Sequence, residues 1–173
     1  MRSWLWMLAC TVLAACAPLE ERPPAQPGTA APPGHIGPAA PAPYVTNPST
    51  GSYARSANEV SGPAVLGLLD QARTELDAGR SDQSVATLER ALRIEPRNPF
   101  LWQALAGAHL RQNLPDQAES VAQRANSLAN GNPYVEIENW RLIATAREAR
   151  GDMAGAQQAQ ARLAELQERL NRQ

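Results

Sequence analysis

From Val65 onward, apolar and small residues recur at helical spacing, and the arrangement repeats with a period of 34 residues. Counting a first unit from Val65 and a second from Pro99, the second carries Trp102, Leu105, Ala106, Ala118, Ala125 and Leu128 at positions four, seven, eight, twenty, twenty-seven and thirty. The first unit matches with Ala72, Gly79, Ser84, Leu88, Ala91 and Pro96 at positions eight, fifteen, twenty, twenty-four, twenty-seven and thirty-two. A third unit opens near Ile137, after a four-residue slip at 133 to 136, and places Trp140, Ile143, Ala144, Gly151 and Ala156 in the same phase. Apolar residues three or four apart share one helix face, so each unit predicts a pair of helices. The six are expected at 64 to 78, 82 to 95, 98 to 112, 115 to 129, 134 to 150 and 152 to 170.

Small residues at positions eight and twenty let two antiparallel helices approach closely, with Trp102 or Leu105 filling the space beside them. Gly79 and Gly151 fall in the turn between the helices, where positive φ costs glycine little, and Asn113 replaces glycine in the second unit. Pro96, Pro99 and Pro133 punctuate the stack because proline cannot continue a helix. Pro115 suits a first helical turn, and Asp82, Asn98 and Asp152 stand where short polar side chains cap free amides. This spacing resembles the tetratricopeptide repeat family. The resemblance implies an all-α solenoid of about three helix-turn-helix repeats over 63 to 173. Its last helix, with Ala161, Leu163, Leu166 and Leu170 among Gln and Glu, must show one face to water as terminal repeats do.

Upstream the pattern changes. Eleven of fifteen prolines lie between Pro18 and Pro63, within a stretch of Pro, Ala, Gly, Ser and Thr that has no periodic apolar face. Such a stretch cannot bury enough apolar surface to offset its ordering entropy, so 16 to 62 is expected to be a disordered tether headed by Cys16. Its 17 to 62 portion would reach about 140 Å as polyproline II and about 35 to 40 Å as a flexible coil. Tyr44 to Tyr53, uncharged and with two aromatics, is the part of it suited to be a binding epitope. The first fifteen residues have a basic start at Arg2 and an apolar run from Trp4 to Leu13, too short to span a bilayer. Leu13-Ala14-Ala15-Cys16 resembles the bacterial lipobox, which implies cleavage before Cys16, diacylglycerol on its sulfur and, with Ala17 following, sorting to the outer membrane. Cys10 would leave with the signal peptide, so the remaining chain has no second thiol for a disulfide.

Charge and chemistry narrow the function. The formal net charge is -1, all sixteen basic residues are Arg and there is no Lys, which removes amine nucleophiles and Schiff bases. His35 lies in the tether, and His109, at the eleventh repeat position, is expected to be a packed histidine. No metal-ligand spacing or second histidine accompanies it, and the carboxylates alternate with arginines as on solvated helix faces. The sequence therefore points to a binding protein, not an enzyme, with neither cofactor nor metal.

In tetratricopeptide stacks the first helix of each unit lines a concave face through positions two, five, nine, twelve and thirteen. The resemblance thus implies Leu69, Arg73 and Asp77 in the first unit, Phe100, Gln103 and Arg111 in the second, and Glu138, Arg141, Thr145 and Glu148 in the third. Arginines and aromatics dominate binding hot spots, which singles out Arg73, Phe100, Arg111 and Arg141, and Gln103 joins them as a partner-binding position of the groove. The Lys and Asn that clamp a terminal carboxylate in one subtype are absent, Leu69 with Arg73 and Gln103 with Gly107 standing there instead. Lipobox, long tether and compact repeats together resemble LpoP-type outer-membrane lipoproteins, which activate a bifunctional class A penicillin-binding protein across the periplasm. That implies a periplasm-facing activator that docks on a peptidoglycan synthase. The alternative is a periplasmic scaffold recruiting a protease, a hydrolase or an envelope-assembly machine.

Overall fold

The computed structural model describes residues 52 to 172; the signal peptide, Cys16 and the tether up to Gly51 lie outside them. Six helices follow a single 3-10 turn at Ala57–Glu59: α1 (Pro63–Asp77), α2 (Ser81–Ile94), α3 (Pro99–Arg111), α4 (Pro115–Ala129), α5 (Pro133–Ala149) and α6 (Met153–Asn171). Among the described residues there is no strand. Each helix packs on the next, and α3 also packs on α1 and α5, the connectivity of a stack of helix pairs.

The expected punctuation is in place. Proline opens α1, α3, α4 and α5, where its missing N–H is no loss. Gly79, Asn113 and Gly151 adopt φ of 74°, 58° and 79° in the turns within the three units. Ala72 with Ser84, Ala106 with Ala118, and Ala144 with Ala156 are all buried, as close helix approach within each unit requires. The slip before Ile137 is absorbed as one further helical turn at the start of α5, which runs for 17 residues against 13 in α3; four residues make about one turn.

Capping departs in detail from expectation. Asn98 accepts from the Phe100 amide and Asp152 from the Gly155 amide. Asp82 lies inside the first turn of α2 and instead accepts from Gln112 Nε2 at 2.6 Å. Trp102 is half-buried, not a fully enclosed filler: its indole N–H donates to the Pro96 carbonyl at 2.8 Å and Arg124 lies 5.9 Å over its ring. The enclosed bulk between the first two units comes from Leu88, Leu92 and Leu101. On α6, Leu166 is buried, Leu163 and Leu170 are half-buried and Ala161 is exposed.

The largest departure precedes α1. Residues from Ser52 to Gly62, expected as the end of the tether, form a strap along the helices. Ala57 is buried in the first core cluster. The Ala54 carbonyl accepts from Asn132 Nδ2 at 2.7 Å, and the Arg55 guanidinium sits 5.1 Å over the Tyr134 ring. Glu95 takes hydrogen bonds from Ser61 Oγ at 2.9 Å and the Gly62 amide at 3.2 Å, and Asn98 Nδ2 donates to both Ser61 Oγ and Glu95. Polar groups buried at 95, 98 and 132 thus find their partners in the strap, which is what orders so polar a segment. Asn132 also caps α5, accepting from the amides of Tyr134 and Val135. Asn132→Ala should therefore lower stability by about 1 to 2 kcal/mol and raise amide exchange in the strap well above that in α3. Exchange in the strap no faster than in the parent chain would show that this contact does not hold it.

Candidate protein-binding groove

The first helices of the three units, α1, α3 and α5, face a common groove of about 640 Å³. Side chains project from a helix with a period of 3.6 residues, and equivalent repeat positions, 34 residues apart in the first two units and 38 across the slip into the third, land on the same side of the stack. Arg73 from α1, Phe100, Gln103 and Arg111 from α3, and Arg141 from α5 all line this groove. Leu69 and Glu138 line it too, whereas Asp77, Thr145 and Glu148 do not. The Thr145 hydroxyl turns back to the Arg141 carbonyl at 3.1 Å, and Glu148 accepts from Gln160 of α6 at 2.6 Å.

The groove has an apolar floor and a basic rim. Leu69 and Phe100 are largely buried and present their remaining surface beside Leu76, Ala104 and Leu142. Arg73 pairs with Asp70 at 3.2 Å while its side chain keeps 59% of its exposure. Arg141 makes a bidentate hydrogen-bonded pair with Glu138; donating to the Glu138 carboxylate raises the arginine above its ordinary pKa, against a smaller opposing effect of burial. Its charge is therefore fixed at any pH the chain meets. Gln103 is half-buried, and its Nε2 is shielded from solvent with no acceptor.

Sequence reasoning missed the strap's share of this wall: Arg55, Ser56 and Ala57 also line the groove. A segment of such composition gives no local signal of order, and its partners lie far along the chain. His109, expected to be packed, is half-buried on α3, with Nδ1 2.9 Å from Gln112 Oε1. Through Gln112 it connects to Asp82, a structural link between the first two units.

A family profile described as tetratricopeptide repeat matches residues 75–136. Among solved structures, the globular C-terminal domain of P. aeruginosa LpoP matches with 41% identity and a TM-score of 0.59, over 60% of this chain and 98% of that domain. The chain belongs to the LpoP-like tetratricopeptide repeat proteins. No curated protein matches it. The alignment takes in nearly all of the LpoP domain. A tetratricopeptide stack of this kind points to a non-catalytic domain for protein interaction.

Proposed function

We propose that this protein is an outer-membrane lipoprotein which docks on, and activates, a periplasmic class A penicillin-binding protein, with Arg73, Phe100, Gln103, Arg111 and Arg141 as its docking residues. The observation that carries this reading is the 41% identity to the LpoP domain over 98% of its length, joined by a groove that gathers those five side chains. The lipobox ending at Cys16 supports anchoring, and the stretch before Ser52 supports a reach into the periplasm. Activation requires tighter binding to the active conformation of the synthase than to the inactive one, so docking alone is not sufficient.

Two measurements test the reading. Charge reversal at Arg73, Arg111 and Arg141 should weaken binding to the purified synthase by more than about tenfold and remove its stimulation. Melting should be nearly unchanged, because exposed substitutions rarely cost more than about 0.5 kcal/mol. Unchanged stimulation would move the docking surface off the groove, and no binding by the parent chain would retire the synthase as partner. For the anchor, Cys16→Ser should abolish incorporation of labelled palmitate in cells; persistent incorporation would place the lipid elsewhere.

A further inference from the structure

The groove carries a charge that the chain as a whole does not. Against a formal net charge of -1 overall, its lining brings together Arg55, Arg73, Arg111 and Arg141 with Glu138 as the one carboxylate. Asp70 braces Arg73, and Glu138 braces Arg141, which leaves four guanidinium groups facing two carboxylates. Arg111 is exposed at the end of α3 and has no ion pair or side-chain hydrogen bond among the described residues. Arg55 comes from outside the repeats, held in place by the Tyr134 ring beneath it and by the strap's hydrogen bond to Asn132.

The floor adds two further requirements. It is apolar around Leu69 and Phe100, and it is lined by Gln103, whose Nε2 is tucked out of solvent without an acceptor and is relieved only by a partner toward which the side chain can turn. A buried donor without an acceptor is destabilising, and a ligand oxygen removes that penalty. A polyanion or lipid headgroup would satisfy the rim but leave the apolar floor unmatched. A peptide supplies anionic side chains, an apolar side chain and carbonyl oxygens within a few residues. Guanidinium groups match carboxylates in planar, paired geometry, and arginine and aromatic anchors carry most of the energy at such surfaces.

We infer that the groove binds an extended partner segment in which acidic residues flank an apolar one, and that Arg55 on the strap is part of that site together with Arg111. The apolar side chain rests against Phe100 and Leu69, the carboxylates meet the guanidinium groups, and the Gln103 side chain, half-buried, turns outward to give its amide hydrogen to a carbonyl oxygen. The inference rests on the groove being a protein-docking surface, as proposed above. It adds the chemistry of what docks and makes the strap a component of the site.

The test uses the full chain in detergent micelles, titrated by NMR with the blocked peptide Gly-Ser-Glu-Leu-Glu-Ser-Gly and with versions carrying Gln-Leu-Gln, Lys-Leu-Lys and Glu-Ser-Glu at the centre. The Glu-Leu-Glu peptide should shift resonances of Gln103 and Phe100 and bind about tenfold tighter than the Gln-Leu-Gln or Glu-Ser-Glu versions, with no response to Lys-Leu-Lys. Arg111→Glu and Arg55→Glu should each remove most of that binding, whereas Arg93→Glu, on the exposed side of α2, should not. The inference is overturned by equal response to Gln-Leu-Gln, by no response to Glu-Leu-Glu at millimolar concentration, or by binding that survives Arg111→Glu and Arg55→Glu. Phosphatidylglycerol added to the micelles that binds with the same arginine dependence, and displaces the peptide, would overturn it in favour of a lipid surface. No synthase is present in this assay. A chain that binds the peptide but fails to stimulate the synthase retires the function proposed above and leaves this inference standing, and the opposite pair of results retires the inference alone.

Discussion

Glu119→Ala is expected to destabilise the chain by about 2 to 4 kcal/mol, with the damage concentrated in the third repeat. Glu119 lies on α4 with its side chain 10% exposed, and it takes hydrogen-bonded ion pairs from Arg147 at 2.8 Å and Arg150 at 2.5 Å, both at the end of α5. Arg147 also donates to the Gly155 carbonyl at 2.9 Å on α6. One carboxylate therefore ties the second unit to both helices of the third. Removing one partner of a buried pair leaves the other charge without compensation, at a cost of about 3 to 5 kcal/mol for full burial. The guanidinium side chains of Arg147 and Arg150 keep 19% and 31% of their exposure, so water recovers part of that loss. Glu119→Gln retains the shape and one acceptor oxygen, and should cost less than Glu119→Ala.

The location of the loss can be read as well as its size. Stability in a repeat stack is roughly a sum of unit and interface contributions, so amide exchange should rise in α5 and α6 while α1 to α3 remain protected. Urea unfolding should shift to lower midpoint, and a cycle of Glu119→Gln with Arg147→Met should show coupling of about 1 kcal/mol or more. An unfolding midpoint equal to that of the parent chain would mean that the three charges are solvated independently and that the interface rests on its apolar contacts, Ala122, Ile143 and Ala159 among them.

This network and the strap show where the sequence was and was not informative. The helices and turns were legible because their causes are local: proline at a first turn, glycine or asparagine at positive φ, alanine where helices must touch. The groove positions came from the resemblance to tetratricopeptide stacks, and register explains why they gather, since a residue's position in its helix decides the face on which it stands. Leu69 illustrates the limit: its position pointed to the groove, and it does line it, yet it is also core, 2% exposed. Glu119, Arg147 and Arg150 read as ordinary alternating surface charge, because pairing across 28 and 31 residues leaves no local trace. The strap read as tether for the same reason. Its order comes from Glu95, Asn98 and Asn132, and no property of residues 52 to 62 by themselves announces those partners.

The second large effect concerns reach, and the strap changes its arithmetic. With the chain held from Ser52 onward, the tether expected between Cys16 and the folded domain is 17 to 51, which spans about 110 Å at polyproline spacing instead of about 140 Å. Removing residues 22 to 46 would shorten it by about 80 Å. If the domain must meet a synthase anchored in the inner membrane, that variant should lose its activity in cells while stimulating the purified synthase as well as the parent chain does, since no distance has to be spanned in solution. A scrambled sequence of the original length should restore cellular activity, provided Ser52 to Gly62 is kept, because the strap completes the groove whereas the tether supplies length. Full cellular activity of the shortened chain would rule out action across the periplasm and favour a scaffold at the outer membrane. Failure of the scrambled tether would instead assign a sequence-specific role to the stretch from Tyr44 to Gly51. Loss of stimulation in solution on cutting back to Gly62, with the repeats still folded, would place the strap itself in the docking surface.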